Sequence, residues 1–408
     1  MDKMMRAIGL MSGTSMDGID IALLETDGDQ RVNRLAAQSV PYPDTFRTAL
    51  RAGLASAAHI TDRDHRPGGL ALLEQELTQR HADAVLRFMG DRMLQPSAVD
   101  VIGFHGQKVL HRPDARLTVQ LGNGAMLARL TGIDVAYDLR AADVAAGGQG
   151  APLVPAYHRA LAAKLPERPA AFLNIGGVAN LTYIGAGHPD HPEQHSALIA
   201  FDTGPGNAMI DDWVHHHTGQ PLDTDGRLAA SGKVDEAALR QLLTHDFFGR
   251  GIPKSLDRNA FSPAPVAELS LADGAATLTA FTAAAVHRAL SYLPEPPRYW
   301  VVCGGGRKNK TLMMALAERL EAVVAPVEAV GFDGDAMEAE AWAFLAVRAL
   351  AGLPITFPGT TGAPRPMSGG VITAASAHTP TIAKRRPLLS ISAFTTPIWP
   401  SKVRITGS

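Results

Sequence analysis

Two stretches of the chain carry the same order of apolar and small residues. Ala7-Ile8-Gly9-Leu10-Met11 is followed by the small, polar Ser12-Gly13-Thr14-Ser15-Met16-Asp17-Gly18, and then by apolar Ile19-Asp20-Ile21-Ala22-Leu23-Leu24. In the second half, Ala171-Phe172-Leu173-Asn174-Ile175 leads into Gly176-Gly177-Val178-Ala179-Asn180 and on to Leu181-Thr182-Tyr183-Ile184. Apolar strand, small-residue turn and apolar strand is the pattern of a hairpin. Its recurrence near the start of each half predicts two related lobes that face each other. A third stretch, Tyr299-Trp300-Val301-Val302-Cys303, reads as a buried strand ending in Gly304-Gly305-Gly306, with helical spacing over 311–320. The same spacing predicts helices over 70–88, 275–290 and 337–350. Another is expected over about 151–165, after Gly147-Gly148-Gln149-Gly150, where the chain changes lobes. Strands alternating with helices predict an α/β fold.

Composition narrows the class. Hydrophobic residues are 46% and charged residues 19% of 408, and the formal net charge is −2, so the chain is neither a disordered polymer nor a basic nucleic-acid binder. No apolar run reaches the length of a membrane span, and no signal peptide is legible at the N-terminus. The single cysteine, Cys303, excludes an internal disulfide and a cysteine-built zinc site. A cytoplasmic enzyme of two lobes is the expectation. After Glu340 there is no acidic residue, and the stretch from Thr379 is basic and rich in Pro, Ser and Thr. It reads as a disordered extension over 377–408, with Lys384-Arg385-Arg386 as a basic patch the competing reading.

The glycine-rich turns are where chemistry is expected. Gly13, Thr14, Ser15, Met16, Asp17 and Gly18 offer backbone N–H groups and hydroxyls to phosphate oxygens, and the Asp17 carboxylate suits a Mg²⁺ ion. A plain hairpin turn explains the same residues equally well. Gly176 and Gly177 form a second loop of this kind, and two such loops opposed would clamp a triphosphate. Gly304, Gly305 and Gly306 leave room for a flat ligand such as adenosine. Between them, Asp202 ends an apolar strand and opens Thr203-Gly204-Pro205-Gly206-Asn207, a position for a general base or for a side chain that caps the next helix. His105 ends the predicted strand 99–104, as a site or a structural histidine. Arg140 beside open glycines suits an anionic substrate group, or else an ion pair with Asp138 or Asp143. The run His215-His216-His217 points in different directions on a helix and makes a poor metal site.

Taken together, these motifs resemble the anhydro-N-acetylmuramic acid kinase family. The resemblance is carried by Gly9 to Asp20, Phe104-His105-Gly106-Gln107, Gly147 to Pro155, Leu173 to Leu181, Asp202-Thr203-Gly204-Pro205-Gly206-Asn207, Pro253-Lys254-Ser255, Cys303-Gly304-Gly305-Gly306 and Gly334 to Ala339. It implies a two-lobed actin-like, ribonuclease H-like ATPase fold with ATP and Mg²⁺ in the cleft between lobes. It implies a bacterial cytosolic enzyme of cell-wall recycling that opens the 1,6-anhydro bridge with water and phosphorylates the freed oxygen. On the matching positions it implies Asp202 as base and the loop from Gly13 through Ile19 and Asp20, with Gly176, Gly177, Asn180, Gly305 and Gly306, around the nucleotide. His105, Arg140, Gln149, Thr203, Gly204, Asn207 and Glu338 would face the sugar. The lobes would span 1–135 and 136–350, with 351–376 packing back on the first. The expected partners are the amino sugar and a second copy of the chain in a homodimer, with no nucleic acid and no membrane. A kinase for another sugar, and a nucleotide-gated module of chaperone or filament type, are the alternatives. Lys108 stands where the family pattern has Thr, and Ser255-Leu256-Asp257-Arg258-Asn259 departs from its usual run.

Overall fold

The computed structural model describes residues 3–13, 15–187 and 197–375, so Thr14 and the basic tail lie outside the described residues. The strands are β1 (Met5–Met11), β2 (Gly18–Thr26), β3 (Val32–Pro41), β4 (Val101–Phe104), β5 (Gln107–Arg112), β6 (Leu117–Leu121), β7 (Val135–Tyr137), β8 (Ala170–Ile175), β9 (Val178–Ile184), β10 (Leu198–Pro205), β11 (Tyr299–Cys303), β12 (Val323–Pro326) and β13 (Val371–Thr373). They form two main sheets, in the orders β13-β7-β4-β1-β2-β3 and β10-β9-β8-β11-β12, and a β5-β6 hairpin. In the first sheet β1, β2 and β3 are an antiparallel meander, and β4 and β7 then add in parallel on the other side of β1. The second sheet repeats this order with β8, β9, β10, β11 and β12. Each sheet is the ribonuclease H-like arrangement, and its duplication is the actin-like architecture expected. β13 returns the chain to the first sheet by pairing with β7.

Burial follows the sheet positions. β1 and β11 are central and nearly continuous apolar runs, whereas β3, at an edge, alternates exposed with more covered residues. The expected helices are present with shifted ends. The helix predicted over 151–165 is only Pro155–Ala162, because Pro155 fits the first helical position and starts it there. The helix predicted from 275 begins at Leu271, where the Ser270 hydroxyl accepts a hydrogen bond from the Asp273 N–H.

The helix Met337–Leu350 lies across the first sheet. Gly9 and Gly103 are paired neighbours on β1 and β4, and their missing side chains are what admit it. A Cβ on Gly9 would sit 1.8 Å from the Ala339 carbonyl oxygen, and one on Gly103 would sit 2.1 Å from that of Trp342. The same helix buries Glu340 between Tyr157, whose hydroxyl donates to it at 2.7 Å, and Arg34 at 3.8 Å. Burial pushes the Glu340 carboxyl up to about 7 from 4.5. Since the folded value lies above the unfolded one, the stability this group contributes is full below about pH 4.5 and is lost as pH rises through 7. Glu340→Gln is therefore expected to melt like the parent at pH 4 and to be more stable at pH 8.5, by about 2–3 kcal/mol. Chemical unfolding at the two pH values checks this.

Candidate active site

The turn after β1 is held by side chains from distant parts of the chain. Ser12 is fully buried, lies 2.9 Å from the Tyr42 hydroxyl, and donates to Gln107 Oε1 at 2.9 Å. Gln107 Nε2 donates in turn to the Gly13 carbonyl at 3.1 Å. Met16 has φ of +56° and closes the turn with its N–H on Gly13, and the Ser15 hydroxyl donates to Asp17 at 2.7 Å. Ile19 is buried within β2, while Asp20 takes a hydrogen bond from the Ser39 hydroxyl. Burial, Asp17 and Asp335 together raise the Asp20 carboxyl above its usual range.

The second glycine turn is docked to the loop that follows β10. Asn207 N–H donates to the Gly176 carbonyl at 2.7 Å, and Gly206 N–H to that of Gly177 at 2.9 Å. A Cβ on Gly206 would fall 2.2 Å from the Gly176 oxygen, so only glycine allows this approach. Asn207 Nδ2 reaches the Ile175 carbonyl at 3.2 Å, and side-chain atoms of Asn207 flank Gly305 and Gly306. Thr203 is buried with its hydroxyl on the Ala179 carbonyl, and Asn180 pairs with both Asn174 and Asp202 across β9. The third glycine run is held by Arg307. This buried guanidinium donates to the Gly304 carbonyl, to Glu328 and, at 2.9 Å, to Asp335, the carboxylate that Asp20 feels. The second and third predicted glycine turns therefore adjoin each other, through Asn207.

Asp202 lies within β10, at a bulge between Asp202 and Gly204. Its carboxylate does not cap the following helix Ala208–Thr218. Oδ2 instead accepts the Leu256 N–H at 2.7 Å. Burial raises this carboxyl to about 6, and the Leu256 hydrogen bond holds it from rising further. The Asp202 N–H donates to the Lys254 carbonyl at 3.0 Å. Lys254 is anchored in an aromatic cage, with Nζ 4.2 Å from the Tyr292 ring centre and 4.5 Å from that of Phe247. The departure at Leu256 therefore does not disturb Asp202, because the contact comes from the backbone. Arg258, beside Gly177, pairs with Asp212 at 2.6 Å.

Arg140 is neither of the ion pairs that competed for it. Asp138 is bonded to Arg63, and Asp143 takes the Gly150 N–H and the Thr361 hydroxyl. Arg140 Nη1 donates to the Gly150 carbonyl at 2.7 Å and Nη2 faces His105 Nε2 at 3.3 Å. His105 is buried against Trp342, its Nδ1 lies 2.6 Å from the Gly106 carbonyl, and burial and Arg140 hold its pKa well below the ordinary value. It is neutral, with Nδ1 protonated and Nε2 the acceptor for Arg140. Glu338, at the start of the helix Met337–Leu350, has its carboxyl raised by burial, with Arg140 opposing that shift and Asp20 adding to it. Gln149 is fixed through its N–H on the Thr361 carbonyl. Among the described residues no hydrogen bond or ion pair joins this first-sheet group to Asp202. The histidine run sits on the helix Ala208–Thr218 with His217 on the Trp213 carbonyl, and no cluster of metal-ligating side chains occurs among the described residues.

Tyr42, Gln107, Arg307, Asp335, Trp342 and the Leu256 N–H are parts of the site that sequence reasoning did not single out as site groups. Gln107 carried a signal, since it belongs to the His105-Gly106-Gln107 motif.

Comparison with known proteins follows the same lines. The family model for anhydro-N-acetylmuramic acid kinase matches residues 5–375. The chain is 56% identical over 369 residues to the anhydro-N-acetylmuramic acid kinase of Rhodospirillum rubrum, covering 89% of this chain and 93% of that one. It is 55% identical over 377 residues to the enzyme of that name from Brucella canis, covering 91% and 99%. Among solved structures, a ROK family glucokinase from Streptomyces griseus aligns over 84% of this chain and 99% of its own, with 13% identity and a TM-score of 0.37. Among the described residues no helix is long and apolar enough to cross a membrane. The chain belongs to the anhydro-N-acetylmuramic acid kinase family.

Proposed function

We propose that this protein uses ATP to convert 1,6-anhydro-N-acetylmuramic acid to N-acetylmuramic acid 6-phosphate, a step in reclaiming cell-wall sugar. The observation that carries the reading is the Asp202 carboxylate, half-buried at a strand bulge with one oxygen held by Leu256, beside a glycine turn docked by Gly206 and Asn207. Asp202 takes a proton from water as that water bonds to C1. The C1–O6 bridge breaks, and O6 takes the γ-phosphoryl group as its bond to the β-phosphate oxygen breaks and ADP leaves. Little covalent help is required of the protein in such a transfer, which depends on positioning and charge neutralisation.

Gly13 to Asp20 and Gly176, Gly177 and Asn180 bind the phosphates, and Gly305 and Gly306 border the adenosine. Arg140, oriented by His105, and Glu338, Gln149, Thr203, Gly204 and Asn207 hold the sugar. Mg²⁺ is held by one or two carboxylates together with phosphate oxygens and water rather than by a protein cage. Asp17 with Asp20, close enough for their charges to interact, is a donor set of that kind. Bound there, the ion would neutralise charge on the phosphates. Purified protein, ATP, Mg²⁺ and the anhydro sugar should yield a product heavier by one phosphate and one water in mass spectrometry. ATP turnover that ignores the sugar would refute the reading.

A further inference from the structure

Lys108 is a half-buried cation that, among the described residues, makes no hydrogen bond or ion pair. It is also one of the positions that depart from the family pattern. Its place is rigid. It follows Gln107, which is fixed to Ser12 and Gly13, and it stands opposite Gln120 at a bulge of the β5-β6 hairpin. The space it shares already holds the Arg140 guanidinium. Arg140 and His111 meet at Gly150, whose carbonyl takes Arg140 Nη1 and whose missing side chain leaves His111 Cε1 beside it. Lys108 and Arg140 lie close enough for each charge to weigh on His111 and for Arg140 to weigh on Lys108. Arg140 Nε is buried with no acceptor. Glu338 and Asp143 are the carboxylates near Arg140, and Asp143 is committed to Gly150 and Thr361. Lys108 without a partner and Arg140 Nε without an acceptor, with Asp143 engaged elsewhere, are matched by an anion from outside the protein.

We propose that Lys108 and Arg140 together receive the carboxylate of the sugar's lactyl group, which makes Lys108 a specificity residue for muramic over uncharged anhydro sugars. This rests on the kinase reading above. The test measures kcat and KM for the anhydro-muramic acid and for its lactyl N-methylamide, which differs in charge at that one group. It uses the parent enzyme, Lys108→Met and Lys108→Arg, with melting curves to establish that all three are folded. Lys108→Met should raise KM for the acid about tenfold and shrink the acid-over-amide preference by the same factor. Lys108→Arg should restore most of it, and KM for ATP should move by less than about twofold in either variant. An unchanged preference in Lys108→Met overturns the proposal. A rise in KM for ATP instead assigns the cation to nucleotide phosphate and also overturns it. If the parent turns over both sugars without preferring the acid, the kinase reading stands and this proposal fails. If it turns over neither, both fall.

Discussion

Asp202→Asn is expected to lower kcat by about 10²–10⁴-fold while leaving ATP affinity within about twofold. The asparagine carbonyl can still accept the Leu256 N–H, so the loop and the bulge keep their geometry. What is lost is the second oxygen as a proton acceptor. The same residue sets a pH dependence in the parent enzyme. A general base works only when ionised, and burial places this carboxyl at about 6 rather than 3.8. The rate constant kcat/KM should therefore fall as pH drops through 6, about two units higher than for a solvated aspartate. Steady-state kinetics across pH 5–8, with calorimetric titration of ATP into the variant, test both statements. A variant that kept the parental kcat would place water activation elsewhere in the cleft.

Gly9→Ala should cost about 4 kcal/mol or more of stability, beyond what an ordinary point substitution does. The added methyl would lie 1.8 Å from one backbone oxygen and 2.5 Å from the Ala343 nitrogen, and neither belongs to a side chain that can rotate away. The helix Met337–Leu350 must lift from β1, opening a gap along β1 and β4 in the most buried part of the first sheet. Glu338 would move with it, so the folded fraction should also lose activity. Gly90→Ala is the control: it sits at a helix end with nothing within 4 Å of the new atom, and should melt like the parent. Urea denaturation of the three proteins distinguishes a helix held by backbone contact from one held only by its apolar face.

Local patterns made the two hairpins and the long helices legible, because a period of two or of 3.6 over several residues needs no tertiary information. The duplicated strand order was legible only in outline, through the two similar turns. β13 was not, since three residues carry no usable period and its pairing with β7 depends on the whole intervening fold. Within the site, the turns and Asp202 were visible as small-residue runs and an acid beside them. Tyr42 and Arg307 were not, because each reaches a turn from far along the chain or ties together two loops that only folding makes neighbours. The Leu256 N–H leaves no mark in a sequence at all. Any residue but proline supplies it, which is why a run that departs from the family pattern still serves Asp202.

The helix Met337–Leu350 follows the second sheet in the chain but is pressed onto the strands of the first. Glu338 therefore stands on the first-sheet side with Arg140 and His105, whereas Asp202 lies on β10 of the second sheet. On the proposed reading the reacting atoms are gripped from both sheets, so a slight parting of the sheets would lengthen the path from base to water while each ligand kept its own grip. Substitutions far from either ligand that let the sheets part should slow turnover and leave both Michaelis constants nearly untouched.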